Sequence, residues 1–367
     1  MTQVAIVGGG LAGFVSYLTL VHGGVQPDEI AVFDPDPDPA AIWRRRAAAI
    51  RQRAMRSESD GHCLPTSFPG LAVRDAVRRR SPVPLVRSVC DRYHPSVDLF
   101  LEHVAELREQ SGWDERVRRE RVERVLPTEG GFFVLEGHGV FRHVLLALGH
   151  PGLALPEELA DDPRVVHAYE PHEYAEEVTV VGAGMAAATE WLNALAAGSR
   201  VVSVRRREPA RRPLNIEREL FSRRGLAGFQ RTGRSERVAL LRRFGEPSYP
   251  PGPAWDRPLD QAAADGRFRI EPTVNGSVQV ICATGFRRGW MHDTLLADLV
   301  ARHRLDTELG WIVVADDCSV PALTDETRTL ALAGAPAQWA YPAADTLVGA
   351  KYAARAFLRR VRRCRTR

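Results

Sequence analysis

Lys351 is the only lysine among the 50 basic residues of this 367-residue chain. The rest are arginines, which beside so much alanine, glycine and proline read as the codon bias of a GC-rich genome. A Schiff-base or lysine-nucleophile mechanism would have to run through Lys351 or be dropped. Cysteine is also scarce: Cys63, Cys90, Cys282, Cys318 and Cys364 are odd in number and never spaced C-x-x-C or C-x4-C. That pattern argues against a disulfide framework, a zinc site or a dithiol redox centre, and suits a reducing cytoplasm. No apolar run reaches 18 residues, and Val4–Val7 runs straight into glycines without a basic stretch before it. Neither a membrane span nor a signal peptide is expected. Against 46 acidic residues the basic ones leave a net charge of only +4, too small to imply nucleic-acid binding. The arginine-rich end, Arg359 to Arg363, reads as an exposed helix face. The length suggests two domains.

The first 35 residues read as one β-α-β unit. Val4–Val7 has the length of a buried parallel strand, Phe14 to Val21 is helical, and Ile30–Phe33 is the next strand, ending in Asp34. The Pro-Asp repeat from Asp34 to Pro39 must be a loop. Residues 40–56 read as helical and 57–70 as an irregular loop. Pro95-Ser96 introduces a helix with Val97, Phe100, Leu101, Val104 and Leu107 at helical spacing. Three strands, around Arg121–Val125, Gly131–Glu136 and Phe141–Leu148, then form a β-meander ending in Ala147-Leu148-Gly149. A second β-α-β unit follows: strand Val178–Val181, a glycine turn, a helix from Ala188 to Ala197 and strand Val201–Val204. Residues 209–265 read as an insertion or lid with two short helical stretches. Strands return at Phe268–Ile270, Val278–Cys282, Trp311–Val314 and Thr329–Ala333, and a helix runs from about Ala343 to Val361.

The two glycine turns carry the chemistry. The first is Gly8-x-Gly10-x-x-Gly13, with Asp34 lying 21 residues beyond Gly13. Gly8 allows the tight turn, Gly10 lets backbone approach a pyrophosphate, and Gly13 permits close helix–strand packing. The helix N-terminus favours the phosphates, and Asp34 lies where a carboxylate would hold adenosine ribose hydroxyls. The second turn, Gly182-x-Gly184-x-x-Ala187, stands about 170 residues later, and its second strand ends in Arg205-Arg206-Arg207. Arginine there favours a 2′-phosphate, hence NADPH rather than NADH. Two dinucleotide sites in one chain imply hydride transfer from a nicotinamide to FAD, with FAD at the first site.

With these motifs on the page, the chain resembles the flavoproteins with two dinucleotide-binding domains, particularly the flavin-containing and amine N-hydroxylating monooxygenases. The resemblance covers nearly the whole chain. It rests on both turns, on the helix opened by Tyr93-His94-Pro95-Ser96, and on Ala147-Leu148-Gly149. Ala283-Thr284-Gly285-Phe286 looks like the ATG-aromatic motif of those enzymes, and Val166-His167-Ala168-Tyr169 is similar to their linker histidine motif without its preceding Phe-x-Gly. Leu332-Ala333-Gly334-Ala335-Pro336 looks like their last FAD-binding strand, ending Gly-Ala rather than Gly-Asp.

The resemblance implies an α/β fold of two Rossmann-like, three-layer dinucleotide-binding domains, the second inserted in the first, with a β-meander. Residues 1–165 and 318–367 would bind FAD and 166–317 NADPH, with a lid-like insertion about 209–265. Gly8, Gly10, Gly13, Asp34, Gly149, Gly182, Gly184, Ala187, Arg205, Arg206, Gly285, Gly334 and Ala335 are the expected cofactor contacts. The resemblance also implies an NADPH- and O2-dependent monooxygenase acting through a flavin C4a-(hydro)peroxide, with N-hydroxylation of an amine or amino acid foremost. In related enzymes an amide near the flavin often assists, but none of Asn193, Asn215 and Asn275 follows the first unit closely. Asp60 or His62 is the expected polar contact to flavin or substrate; His167 and Tyr169 are candidate hinge contacts. An NADPH-dependent FAD oxidoreductase with another acceptor, and a non-catalytic sensor, stay open. So do monomer and homo-oligomer. The expected partners are a small-molecule substrate and O2, with no metal, nucleic acid or membrane.

Overall fold

The computed structural model describes residues 3–55, 63, 70–90, 93–213, 215–276 and 278–365. Four consecutive buried residues make β1 (Val4–Val7) a strand covered on both faces, as its unbroken apolar run requires. After it come α1 (Leu11–His22) and β2 (Ile30–Phe33), which lies parallel to β1 with Val4 opposite Ile30. Helices α2 (Ala41–Ala49), α3 (Gly70–Arg79), α4 (Val83–Val89) and α5 (Val97–Gln110) precede a short β3 (Val117–Arg118), which pairs with β2. Helix α2 stops well short of residue 56: Arg51 takes a φ of +51° and turns the chain out of the helix. Ser96 caps α5, its Oγ accepting the Leu99 N–H at 3.2 Å. Of the apolar positions at helical spacing, Phe100, Val104 and Leu107 are buried while Val97 and Leu101 are only partly so, and Leu99, outside that set, is buried as well.

The expected meander is real but its third strand divides. β4 (Val125–Pro127), β5 (Phe133–Leu135) and β6 (Gly139–Phe141) form an antiparallel sheet, Val125 opposite Leu135 and Phe133 opposite Phe141. The next residues leave it as β7 (His143–Leu146), a parallel neighbour of β1. At the break, the Arg142 and His143 amides both donate to the Gln3 carbonyl, at 3.1 and 3.0 Å. A continuous apolar run does not reveal which sheet each part joins.

A second parallel sheet is inserted here. It is built from β8 (Val165–His167), β9 (Glu177–Val181), α6 (Met185–Ala196) and β10 (Arg200–Val204). Then come β11 (Ala210–Arg211), α7 (Arg223–Gln230), α8 (Arg234–Phe244), β12 (Ser248–Tyr249) and α9 (Pro253–Ala264), followed by β13 (Phe268–Glu271) and β14 (Gln279–Cys282). The strand order is β13-β10-β9-β14-β8, all parallel. Helix α6 starts three residues before the expected Ala188, because the extended Gly184 is already its N-cap. Residues 209–265 hold three α-helices rather than two. The last, α9, contributes buried Leu259 and Ala262 to the core beneath α6 and leads into β13, the crossover role of a β-α-β unit. The buried side chains of α7 and α8, among them Phe229, Leu241 and Phe244, join instead the core of the first sheet.

After α10 (Thr294–His303), β15 (Thr307–Glu308) pairs antiparallel with β16 (Trp311–Ile312), a two-residue hairpin arm where a four-residue strand was expected. Then β17 (Thr329–Leu332) returns to the first sheet beside β7, giving β17-β7-β1-β2-β3, all parallel. The chain ends in α11 (Leu347–Arg365), which packs on α1. Gly23 makes that approach feasible, since a Cβ there would fall 2.3 Å from a Leu358 methyl. Trp113 fills the core beside α1, meeting Phe14 and Tyr17 edge-on with ring centroids 5.0 and 5.3 Å away. Its indole N–H donates to the Pro37 carbonyl at 2.8 Å, which fixes the loop after β2.

Candidate functional site

Both sheets reverse strand order, the first between β1 and β7 and the second between β9 and β14. Crevices at the carboxyl ends of such strands are where open α/β sheets bind ligands. In the first, Gly8 has a φ of +102° and a Cβ on it would strike the Ala147 carbonyl oxygen at 2.4 Å. A Cβ on Gly13 would fall 1.9 Å from the Gly8 carbonyl oxygen, whereas Gly10 faces open space. Gly10 is the N-cap of α1, with no side-chain cap and no acidic residue in the first turn. The first N–H groups of α1 therefore lack any side-chain acceptor, the arrangement an anion completes.

Asp34 stands at the end of β2 as expected. Its Oδ2 accepts the Gly9 N–H at 2.6 Å and its Oδ1 the Asp36 N–H at 2.8 Å. Each oxygen keeps a lone pair for a hydroxyl donor. Gly9 is a site residue that the spacing rule passed over: a Cβ there would lie 2.7 Å from that of Asp34. Its signal was the unbroken run of three glycines. Gly149 and Gly334, both at positive φ, complete the cluster, since a Cβ on Gly334 would sit 3.7 Å from the Gly149 nitrogen and 3.6 Å from the Ala12 methyl. The first turn thus gathers Gly8, Gly10, Gly13, Asp34, Gly149, Gly334 and the adjoining Ala335.

The second turn repeats the plan. Gly182 has a φ of +134° and a Cβ would meet the Ala283 carbonyl oxygen at 2.6 Å. Gly184 caps α6, again with no side-chain cap and no acid in the first turn. Ala187 is fully buried in the place Gly13 holds in the first unit. Arg205 follows β10, only 10% exposed, paired with Glu208 at 2.8 Å and with its guanidinium 5.8 Å from the Trp191 ring. Arg206 points outward and pairs with Glu158 at 3.0 Å. Gly285 accepts the Ala154 N–H at 3.0 Å through its carbonyl.

Aromatic rings join the two units. Phe286 stacks on His150 at 4.7 Å and on Tyr169 at 5.0 Å, with interplanar angles of 11° and 9°. Tyr169 stacks in turn on His167 at 5.6 Å, and the Arg46 guanidinium of α2 lies 4.8 Å from the Phe286 centroid. His167 and Tyr169 thus lie in the segment where the chain passes into the second sheet. Burial lowers the His167 pKa, so the ring is neutral at physiological pH, and its Nδ1 accepts the Tyr169 N–H at 3.1 Å. Asp60 and His62, the expected catalytic contacts, lie outside the described residues. Cys63 is fully buried, and burial pushes its thiol up to about 12 and that of Cys282 up to about 11. Neither carries thiolate at neutral pH.

Next to the first turn is a cavity of about 310 Å³. The loops after β7 and β17 form one side, through Gly149, His150 and Ala335; α8, the segment 287–293 and the β15–β16 hairpin form the other. This wall escaped sequence reading because it is assembled from segments scattered over nearly 200 residues, with no spacing rule linking them. Among the described residues, no helix is long and apolar enough to cross a membrane.

No family model matches the chain, and no curated protein does. Solved structures match its fold over nearly its whole length. The ornithine hydroxylase of Pseudomonas aeruginosa is 16% identical with a TM-score of 0.69, the match covering 98% of this chain and 99% of that one. The Kutzneria sp. 744 ornithine N-hydroxylase, solved with reduced FAD, NADP+ and L-ornithine, is 14% identical with a TM-score of 0.72, covering 98% and 100%. The bacillithiol disulfide reductase of Bacillus cereus is 14% identical with a TM-score of 0.61, covering 100% and 99%. The fold is that of these flavoproteins: two Rossmann-type units, the second inserted in the first.

Proposed function

We propose that this protein is an NADPH- and O2-dependent FAD monooxygenase of a small molecule, N-hydroxylation of an amine or amino acid being its foremost reaction. One observation carries the reading: two uncapped helix N-termini stand behind glycine turns in one chain, with a carboxylate beyond the first and an arginine beyond the second. FAD would lie at the first turn and NADPH at the second, and both sets of residues fit. The α1 N–H groups would receive the FAD pyrophosphate, and Asp34 would accept from ribose hydroxyls while still holding Gly9. At the second turn Arg205 would exchange Glu208 for a 2′-phosphate, a stronger, dianionic acceptor. The bound flavin supplies the chemistry, accepting hydride and activating oxygen. What remains to the chain is to bind, orient and exclude water, which needs no acid–base triad.

The described cysteines form no disulfide, and three of them, Cys63, Cys282 and Cys318, are buried thiols of raised pKa, which favours oxygenation over dithiol exchange. It also suits a cytoplasmic location. The test is to purify the protein, record its flavin spectrum, and follow NADPH and O2 consumption with an amine, sulfide and ketone panel. Oxygenated product formed with O2 and NADPH supports the proposal. NADPH oxidation without such a product supports an oxidoreductase with another acceptor, and cofactor binding without turnover a sensor.

A further inference from the structure

The cavity beside the first turn has an unbalanced charge. Arg242 on α8 and Arg287 and Arg288 after the Ala-Thr-Gly-Phe segment all line it, against one carboxylate, Asp293. Asp293 caps α10, its Oδ1 accepting the Leu296 N–H at 3.0 Å, and its single charge balances only one of the three guanidiniums. Many arginines of this chain find acids, as Arg360 finds Asp317 at 2.7 Å. None of the three cavity arginines has an ion-pair partner among the described residues. A further donor lacks an acceptor in the same wall, where the Trp290 indole nitrogen is buried without a hydrogen bond. Between these donors the wall is apolar and aromatic, Trp311 being its largest other member. A buried donor without an acceptor, next to unpaired guanidiniums, is what an anionic ligand satisfies.

We propose that this cavity binds the substrate by a carboxylate, held by Arg242, Arg287 and Arg288, with an apolar or aromatic body against Trp290 and Trp311, and that it rejects diamino acids. The proposal rests on the monooxygenase reading only for the word substrate; the binding chemistry stands on the cavity. A terminal ammonium finds three guanidiniums here against a single carboxylate, so a diamine is repelled where a monoanion is drawn in. The apolar wall adds affinity for a hydrocarbon body.

Calorimetric titration of the protein as purified tests this without turnover, using 3-phenylpropionate, its neutral amide and L-ornithine. The carboxylate is expected to bind at least about 10-fold more tightly than the amide, and L-ornithine not measurably. The double variant Arg287→Gln/Arg288→Gln should weaken the carboxylate at least about 10-fold and leave the amide unchanged. Both residues are exposed, so the fold is not at stake. Gly245→Ala is the steric counterpart: its Cβ would meet the Arg288 guanidinium at 2.1 Å, displacing the charge without removing it. It should weaken the carboxylate alone. Equal binding of acid and amide, or tighter binding of L-ornithine, overturns the proposal. So does a double variant that loses flavin or raises KM for NADPH, which would assign the arginines to a cofactor. A flavin-free protein that still selects the carboxylate would overturn the monooxygenase reading and leave this one standing.

Discussion

At the first turn, α1 comes so close that a Cβ on Gly13 would sit 1.9 Å from the Gly8 carbonyl oxygen; at the second, Ala187 carries that very atom, fully buried. The glycines that make the bends are alike in both, each pressed against the end of the neighbouring strand at 2.4 or 2.6 Å. Above the turns the two differ again. Gly10 has nothing within 4 Å, but Pro247 lies 3.8 Å from where a Cβ on Gly184 would be. The first turn is therefore tight beneath and open above, the second looser beneath and partly roofed by the segment before β12. One sequence pattern thus yields an open cradle and a partly covered one. That division suits one cofactor that stays and another that comes and goes.

The largest effects should come from exchanging the third residue. Gly13→Ala forces either α1 or the Gly8 peptide to move and should cost about 3 kcal/mol, with loss of bound flavin. Ala187→Gly removes one buried methyl and loosens a helix, about 1–2 kcal/mol. Urea unfolding and flavin content of the two variants measure the contrast. A Gly13→Ala protein that folds and retains flavin would break it. Gly8→Ala and Gly182→Ala should instead behave alike, both badly destabilised, because both residues combine positive φ with a carbonyl contact.

Charge should give the next largest difference. Arg205→Ala is expected to raise KM for NADPH about 10-fold and to leave NADH unchanged, since only the former has a 2′-phosphate. Glu208→Gln frees Arg205 from its acid and should lower KM for NADPH, by less than about 5-fold because Glu208 is 75% exposed. Asp34→Ala acts on the other unit: it strands the Gly9 N–H and should reduce flavin retention while sparing the NADPH/NADH ratio. Steady-state kinetics with both nicotinamides separates these cases. An Arg205→Ala enzyme of unchanged coenzyme preference would move the 2′-phosphate away from β10.

The turns, their strands and their order along the chain were legible because glycine geometry is local: a bend of positive φ and a close carbonyl leave no other residue. The capped helix α5 was legible for the same reason, with Ser96 and its apolar spacing both local signals. What was missed is non-local. The parting of β6 from β7 depends on which carbonyl Arg142 and His143 find, and that carbonyl belongs to Gln3. Residues 209–265 read as an insertion or lid, but Gln230 donates to the Tyr352 hydroxyl at 2.9 Å and to the Ala340 carbonyl at 3.1 Å, so α7 is anchored to the C-terminal segment. The unpaired arginines of the cavity were invisible among so many others, since pairing is a property of space and not of spacing.

Two histidines near the passage between the units carry the comparison into pH. His172 lies beside α6, its Nδ1 2.7 Å from the Glu170 carbonyl and its Nε2 3.0 Å from the Glu190 carboxylate. An imidazole between two acceptors satisfies both only as the imidazolium. Burial opposes that charge, yet the hydrogen bonds to Glu190 and Glu170 outweigh it and the pKa is raised above 6.5. The resulting stability is full below 6.5 and is lost as pH rises through the raised value. His167, five residues earlier, is the reverse case. Burial lowers its pKa, so below 6.5 the unfolded chain takes up a proton that the folded one refuses, and stability falls as pH falls. In melting curves against pH, His172→Gln should flatten the alkaline decline alone and His167→Gln the acid decline alone. Both effects are expected to be the smallest of those above, each resting on one proton. If His172→Gln leaves the alkaline side unchanged, the Glu190 pair is not charged in the folded protein.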